Sequence, residues 1–378
     1  GAVIVGTQTL YIGGSDGTAA TADVFVAGAV GTGNLAPWER APSLPAPRVD
    51  AAVVAVGNSV YVIGGSDAAG APTDTVFKLD VATDGTLGEW TTVEAMTLPE
   101  PRTGAAAVTL TEGVMLIGGA DANGPVASVW ESPASASGAL GAWEPQNPLV
   151  EATADGFGAH VGDFVYLIGG RNAQGPSGAM QVLRVTAAVD GGGHGAAPAP
   201  AADAELPRWA VANEINLPAA RANPAGFTIN GVIYIIGGTD GSSLGNQVWW
   251  TTPNADGYHD GWKHLDETDL GSGVQGAAAV ASGSHAFVIG GTAEPGVTGD
   301  LARANLAPQD PFFQLGVLGA TVPGLRIEGE IGQQLGYLNA AGVGTVNFVL
   351  LILIGLAYNH PEKTKALWAK VRGRNRRS

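Results

Sequence analysis

One short pattern recurs along most of the chain and decides the fold. Its first copy is Tyr11-Ile12-Gly13-Gly14, an aromatic residue followed by isoleucine and a glycine pair. An aliphatic residue takes the first place in the other copies, which are Val62-Ile63-Gly64-Gly65, Leu116-Ile117-Gly118-Gly119, Leu167-Ile168-Gly169-Gly170, Ile235-Ile236-Gly237-Gly238 and Val288-Ile289-Gly290-Gly291. The spacing of the copies is nearly constant, except for a longer interval between Gly170 and Gly238. A period of about 50 residues indicates a repeat architecture.

A large aromatic residue keeps step with the glycine pair. Trp38, Trp90, Trp143 and Trp262 follow the glycine pair of their repeat at a nearly constant spacing. In the fourth repeat Trp209 comes later than this spacing predicts, and in the sixth Phe313 takes the place of the tryptophan. The excess of the fourth repeat falls in a Gly/Ala/Pro-rich run at 187–206, which we expect to be a surface loop.

Each repeat has the pattern of four short strands. In the second repeat, residues 51–56 are apolar, Gly57-Asn58 supplies a turn, and 60–63 form a second apolar run that ends at the glycine pair. Residues 75–79 alternate as a third strand, and a fourth surrounds Trp90. Because no stretch before residue 325 has a helical period, the sequence predicts an all-β repeat domain.

These repeats resemble those of the kelch β-propeller family. The marks are the glycine pair, the later tryptophan, and a Leu-Pro-x-x-Arg element that ends at Arg48, Arg102 and Arg221. Repeats four and six have Thr153 and Val274 in place of the arginine. The resemblance covers residues 1–318 and implies a six-bladed β-propeller with four-stranded blades. Its blades are expected at about 1–43, 44–97, 98–149, 150–216, 217–269 and 270–318.

The family's fold implies which loops share a face. The loops after the glycine pairs would emerge beside the loops that carry Arg48, Arg102 and Arg221, which are therefore the candidate contact loops. An Asp or Asn recurs after the glycine pairs, at Asp16, Asp67, Asp121, Asn172 and Asp240. We interpret these residues as formers of Asx turns, because no Asp-x-Asp-x-Asp-Gly series with a distal Glu indicates calcium.

The sequence predicts no catalytic residue, cofactor or metal site. The absence of cysteine excludes disulfides, cysteine-ligated metals and thiol catalysis, as well as the cysteine-dependent copper-radical oxidases of this fold. No nucleophile elbow, phosphate loop or dinucleotide fingerprint is present. His259 and His264, beside Asp260 and Asp266, come closest to a metal-ligand pattern. The possibility of a catalytic pair of carboxylates from different blades stays open, because spacing along the sequence does not reveal such a pair.

The charge is divided between an acidic body and a basic tail. Residues 363–378 contain seven bases and no acid, whereas residues 1–362 carry 11 bases and all 34 acids. Phosphates would be repelled by such a body, so nucleic acid is not an expected partner.

Residues 338–358 form an uncharged, strongly apolar stretch. As a helix it would extend about 31 Å, enough to cross a bilayer once. The basic tail at 359–378 should remain cytoplasmic, which puts the propeller outside the plasma membrane and makes 319–337 a stalk. The tail could also contact anionic lipid.

Small residues recur every four positions at the entry to this helix. Gly332, Gly336, Ala340 and Gly344 would form a stripe that permits close helix packing, and Asn347 lies near the same side. This pattern favours docking against other transmembrane subunits.

The sequence therefore favours a non-catalytic role over an enzymatic one. We expect a recognition or scaffold module that is an accessory subunit of an integral membrane protein complex, with a protein or glycan ligand on the propeller. The alternative is an ectoenzyme or binding protein that acts on carbohydrate or cell-wall polymer at the propeller mouth.

Overall fold

The computed structural model describes residues 1–305, except 31–33, 136–137, 186–207, 213–214, 283–284 and 295. Within these ranges no helix has the length and apolar character needed to cross a membrane. The predicted transmembrane helix at 338–358 lies outside the described residues. The same holds for the stalk at 319–337, the tail at 359–378, the packing stripe from Gly332 to Asn347, the insert at 187–206 and Phe313.

Six antiparallel sheets account for nearly all regular structure in the described ranges. The first strands are Ala2–Val5, Ala52–Val56, Ala106–Leu110, Phe157–Val161, Ala225–Ile229 and Ala278–Ser282. The second strands, each ending just before a glycine pair, are Gln8–Ile12, Ser59–Ile63, Gly113–Ile117, Phe164–Ile168, Val232–Ile236 and His285–Ile289. Short apolar, β-branched runs separated by tight turns favour this arrangement.

The outer strands complete each sheet. The third strands are Val24–Val30, Val76–Asp80, Val129–Pro133, Met180–Arg184, Val248–Thr251 and Leu301–Asn305. The fourth strands of sheets one to five, which directly follow the marker tryptophans, are Glu39–Arg40, Thr91–Thr92, Glu144–Gln146, Ala210–Val211 and Lys263–His264. The predicted fourth strand of sheet six, around Phe313, lies outside the described residues.

A few short strands and turns lie outside the main strands of the six sheets. Asn34–Leu35 pairs with the end of the third strand in sheet one. Two-residue hairpins follow three of the glycine pairs, at Ala120–Asp121 with Gly124–Pro125, Arg171–Asn172 with Gly175–Pro176, and Thr292–Ala293 with Gly296–Val297. Single 3₁₀ turns lie at Glu94–Met96 and Asp266–Thr268.

The six sheets are the blades of a closed ring. The first strand of every sheet approaches the first strands of both neighbours, including that of sheet six beside that of sheet one. These strands therefore surround the axis, and the later strands of each blade lie progressively farther out. The structure confirms the prediction of an all-β, six-bladed propeller.

The hydrophobic core is divided among the junctions between blades. Each of six clusters of apolar side chains joins residues from two neighbouring blades. At the last junction, Phe287 and Ile289 of blade six pack with Ile4 and Tyr11 of blade one. Stability therefore depends on the whole ring, because each blade buries its faces against the next.

The marker tryptophans occupy these junctions. Trp90 of blade two packs in the cluster shared with blade one, and its indole N–H donates to the Pro42 carbonyl at 2.9 Å. Trp143 does the same one blade later, with the Met96 carbonyl at 2.7 Å. The hydrogen bond lets a large amphipathic ring fill the wedge between blades. The interpretation of tryptophan as an inter-blade wedge is confirmed.

Candidate interaction surface

The glycine pairs of the first five blades connect each of these blades to the next. Gly64 and Gly65 have φ angles of 61° and 87°, which L side chains rarely adopt. A Cβ on Gly64 would lie 2.5 Å from the carbonyl oxygen of Arg102, while the Gly65 amide donates to that same oxygen at 2.7 Å. Equivalent bonds join Gly14 to Arg48, Gly119 to Thr153, Gly170 to Arg221 and Gly238 to Val274. The glycine pair is therefore a backbone joint between blades.

The loops after the glycine pairs and the connections between blades share one face of the ring. Single β-bridges join the two sets, at Val49 with Ser66, Thr103 with Ala120, Ala154 with Arg171, Ala222 with Thr239, and Gln275 with Thr292. The predicted grouping of these loops is confirmed. We call this surface the loop face.

The Asp and Asn residues of the post-glycine loops form Asx turns, as the sequence indicated. Asp16 Oδ1 accepts the amides of Thr18 and Ala19, each at 2.8 Å. The corresponding oxygens of Asp67, Asp121, Asn172 and Asp240 accept amides a few positions ahead in the same loop. Hydrogen bonds from Thr18 and Ala19 lower the pKa of Asp16 to about 2, so this exposed carboxylate stays charged at neutral pH.

The three arginines of the Leu-Pro-x-x-Arg elements lie inside the blades. Arg48, Arg102 and Arg221 are only 5%, 1% and 7% exposed. Their guanidinium groups therefore do not reach the surface, and any contact with a partner would be made by other side chains of these loops. That these loops contact a partner stays a prediction.

Each buried guanidinium stacks on an aromatic ring of the third strand. The Cζ atoms lie 4.5 to 4.8 Å from the ring centroids, in the pairs Arg48 with Phe77, Arg102 with Trp130 and Arg221 with Trp249. In blade four, Thr153 takes the place of the arginine and Gln181 takes the place of the aromatic residue. Gln181 donates a hydrogen bond of 3.2 Å to Thr153 Oγ1. The sequence analysis did not predict that these two positions pair. The available signal was that both positions change together in the fourth repeat.

A partial ring of backbone hydrogen bonds, which we call the axial ring, runs around the axis on the loop face through blades two to six. Its members lie just before the first strands and all have φ between 50° and 63°, namely Asp50, Gly104, Asp155, Asn223 and Gly276. From Gly104 onward, each amide donates to the carbonyl of the preceding member at 2.8 to 2.9 Å. The sequence signal for these positions is an Asp, Asn or Gly at the second position after each Arg, Thr or Val of the element, since these types tolerate positive φ.

Two carboxylates that interact electrostatically belong to the axial ring. Asp155 forms an ion pair with Arg171 Nε, and its side chain is 8% exposed, whereas that of Arg171 is 40% exposed. Desolvation raises the pKa of Asp155, and the charge of Asp50 raises it further, although Arg171 partly offsets both. Desolvation likewise raises the pKa of Asp50. The pair comes from blades two and four, which is why spacing could not reveal it.

The exposed charge of the loop face is acidic. In the described part of these loops, Arg171 is the one lysine or arginine whose side chain is more than a tenth exposed. Arg40, at the end of the adjoining fourth strand of blade one, is also exposed and forms an ion pair with Asp23. The acidic rim, as we name it, consists of the exposed Asp16, Asp240 and Glu294 with the half-buried Asp67 and Asp121. A groove of about 340 Å³ between the loops of blades five and six is lined by Ser242, Thr292 and Glu294, among others.

His259 has a structural role. It is buried, its Nε2 lies 3.2 Å from the Ile215 carbonyl, and its Nδ1 accepts the Gly261 amide at 2.9 Å. Burial lowers its pKa, which favours the neutral ring. Because both nitrogens are occupied, His259 does not combine with His264 in a ligand set.

Comparison with known families supports the same class of protein. Residues 47–97, which contain the second blade, match the Kelch motif. A search of curated proteins found no significant match to this chain. The motif and the six-bladed ring together support a kelch-repeat propeller.

Proposed function

We propose that the protein is a non-catalytic protein-binding scaffold, anchored in the plasma membrane as an accessory subunit of an integral membrane protein complex. The kelch propeller supports the scaffold role, and the apolar stretch at 338–358 with its basic tail supports the anchor and an extracytoplasmic propeller. The observation that carries the binding role is the acidic rim, whose aspartates are partly or fully exposed and accept hydrogen bonds from backbone amides.

Because the acidic rim carries charges of one sign at fixed positions, it favours partners of the opposite charge. Ordering the rim on binding costs little, because the Asx turns already hold these side chains. Single-sign charge speeds association with a surface of opposite sign and disfavours like-charged partners. We therefore expect a partner with Lys or Arg side chains in its extracytoplasmic loops, of which one can enter the groove beside Glu294.

The helix supplies the second contact. Gly332, Gly336, Ala340 and Gly344 would allow another transmembrane helix to approach closely, and Asn347 would find a polar partner there. The basic tail would contact anionic lipid on the cytoplasmic side.

The experiment that tests this proposal is mass spectrometry of what accompanies the full chain after mild detergent extraction. We expect integral membrane proteins in stoichiometric amounts. Gly336→Leu with Gly344→Leu should release them, whereas Gly342→Leu should not, since residue 342 would lie on the other side of the proposed helix. Migration of the wild-type chain alone in native detergent gels would contradict the proposal.

The rim has its own test. Replacing Asp16, Asp67, Asp121 and Asp240 with Asn removes four charges but retains the turns, because Asn172 already forms the same turn in blade four. We expect the retained partner to dissociate at least tenfold more readily, while a cooperative thermal transition verifies that the variant is folded. An unchanged affinity would exclude the rim as the contact surface.

A second candidate is favoured by the convergence of Asp50 and Asp155 at the axis. An ectoenzyme or binder of carbohydrate or cell-wall polymer would use a carboxylate pair at the propeller mouth, with a raised pKa on the acid. Hydrolysis or binding of polysaccharide by the purified chain, abolished by Asp50→Asn, would favour this candidate. Absence of both activities would reject it.

A further inference from the structure

A cluster of one histidine and two aspartates lies at the outer end of blade five. His264 ends the fourth strand, Asp266 begins the 3₁₀ turn Asp266–Thr268, and Asp269 follows it. A ligand atom from each side chain lies within 4.8 Å of the others. The side chains of His264 and Asp269 are 30% and 18% exposed, so the cluster is open to solvent but anchored on the protein.

Asp269 fixes the orientation of the imidazole. Its Oδ1 lies 2.9 Å from His264 Nε2 and also accepts the Val248 amide at 3.2 Å. A carboxylate held in this way favours the tautomer that donates from Nε2. The lone pair of the neutral ring is then on Nδ1, as in the carboxylate–histidine arrangement of many metal sites.

A carboxylate oxygen of Asp266 lies near Nδ1. Nδ1 and Asp266 Oδ1 are 3.6 Å apart, too far for a hydrogen bond. Two ligand atoms bound to one zinc ion at about 2.1 Å each, in tetrahedral geometry, are separated by about 3.4 Å. The observed gap is therefore close to what a shared cation requires.

We propose that His264 and Asp266 bind a divalent transition-metal cation of the Zn²⁺ type, with Asp269 as the positioning residue. The imidazole ligand selects this class over Mg²⁺ and Ca²⁺, which prefer oxygen ligands alone. Water completes the coordination, because Asp266 is 97% exposed and leaves the outer side of the cation open.

The test is titration of the untagged full chain in detergent with ZnCl₂ by calorimetry. We expect one saturable site, with binding weakened at least tenfold by His264→Gln and by Asp266→Asn. His160→Gln is the control, since His160 lies in blade four with Nδ1 3.0 Å from the Thr109 carbonyl and should not change the affinity. Thermal unfolding of each variant verifies that the fold is intact.

A spectroscopic readout separates ligation from a structural effect. In ¹⁵N-detected NMR, Zn²⁺ should shift the Nδ1 resonance of His264 and leave Nε2 protonated, and Asp269→Asn should weaken both the Nε2–H tautomer and Zn²⁺ binding. Absence of saturable calorimetric binding, or equal binding by the His264→Gln variant, would overturn the proposal.

Discussion

The amide of Gly65 donates a hydrogen bond of 2.7 Å to the carbonyl of Arg102, which belongs to the next blade. Two of the sequence markers are thus partners, although they lie in different repeats. The arginine carbonyl accepts the bond between blades, and its guanidinium stacks on Trp130 inside its own blade. One residue therefore links the packing of a blade to its attachment to the preceding one.

Removing a buried arginine should destabilise the propeller. Arg102 donates to Ser128 Oγ and to the Pro101 carbonyl, and its Cζ lies 4.5 Å from the Trp130 centroid. Arg102→Ala should lower the free energy of unfolding by about 2–4 kcal/mol, since charged hydrogen bonds and a desolvated cation–π contact are lost. Urea unfolding followed by tryptophan fluorescence measures the change.

The control is Arg40→Ala, because Arg40 is 69% exposed in its ion pair with Asp23 and should contribute less than about 1 kcal/mol. The double variant Arg102→Thr with Trp130→Gln copies the Thr153–Gln181 pair of blade four. It should be more stable than the sum of the two single changes predicts. Simple additivity would mean that the two positions do not form a pair.

The axial ring offers a matched pair of glycines. Gly104 and Gly276 have φ angles of 59° and 63°, so a Cβ strains both backbones by about 1 kcal/mol. A Cβ at Gly104 would also collide with Asp155 Oδ1, whereas nothing lies within 4 Å at Gly276. Gly104→Ala should therefore lower the Tm clearly more than Gly276→Ala, as calorimetry would show. Equal effects would refute the packing of Asp155 over Gly104.

Glu131 should make stability depend on pH. It lies directly opposite Glu144 in the paired strands, and its pKa is raised by desolvation and by the charges of Glu144 and Glu112. A raised pKa means that the native state prefers the protonated form, so stability is lost as the pH rises through it. Glu131→Gln should stabilise the protein by about 0.2–1 kcal/mol at pH 7 and by nothing near pH 3.

The comparison variant for this prediction is Glu39→Gln. Glu39 has the position of Glu144 in blade one but lies opposite Val26. Thermal unfolding at both pH values should therefore show little gain. A Glu131→Gln effect that does not change between pH 7 and pH 3 would contradict the electrostatic explanation.

The sequence was sufficient for the fold because each marker has a local cause. Glycine pairs at Gly64 and Gly65 are needed where the backbone adopts positive φ, and Trp90 is needed where two blades diverge. The glycine pair recurs in all six blades and the tryptophan in the first five, so their spacing indicates the number of blades. The Asx turns were predictable for the same reason, since Asp16 bonds only to residues close to it in the chain.

The site was less predictable because its contacts cross between strands and blades. Whether Arg102 is buried depends on Trp130 and Ser128, which come much later in the chain, beyond a full hairpin. The interaction between Asp50 and Asp155 depends on the packing of blades two, three and four around one axis, which no local pattern shows. His264 and Asp269 meet because a 3₁₀ turn folds back beside the strand, which the sequence does not reveal.

A closed ring of six blades is the central claim, and an engineered disulfide tests it directly. A Cβ on Gly17 of blade one would lie 3.6 Å from Val297 Cβ of blade six, within the range for a disulfide. The chain has no native cysteine, so Gly17→Cys with Val297→Cys should form one intramolecular bond, seen by intact-mass spectrometry before and after reduction. The control pair is Gly17→Cys with Gly70→Cys. It should stay reduced, because Gly70 lies in the post-glycine loop of blade two and a Cβ there would have no neighbour within 4 Å. Free thiols at 17 and 297 under the same oxidising conditions would contradict ring closure between blades six and one.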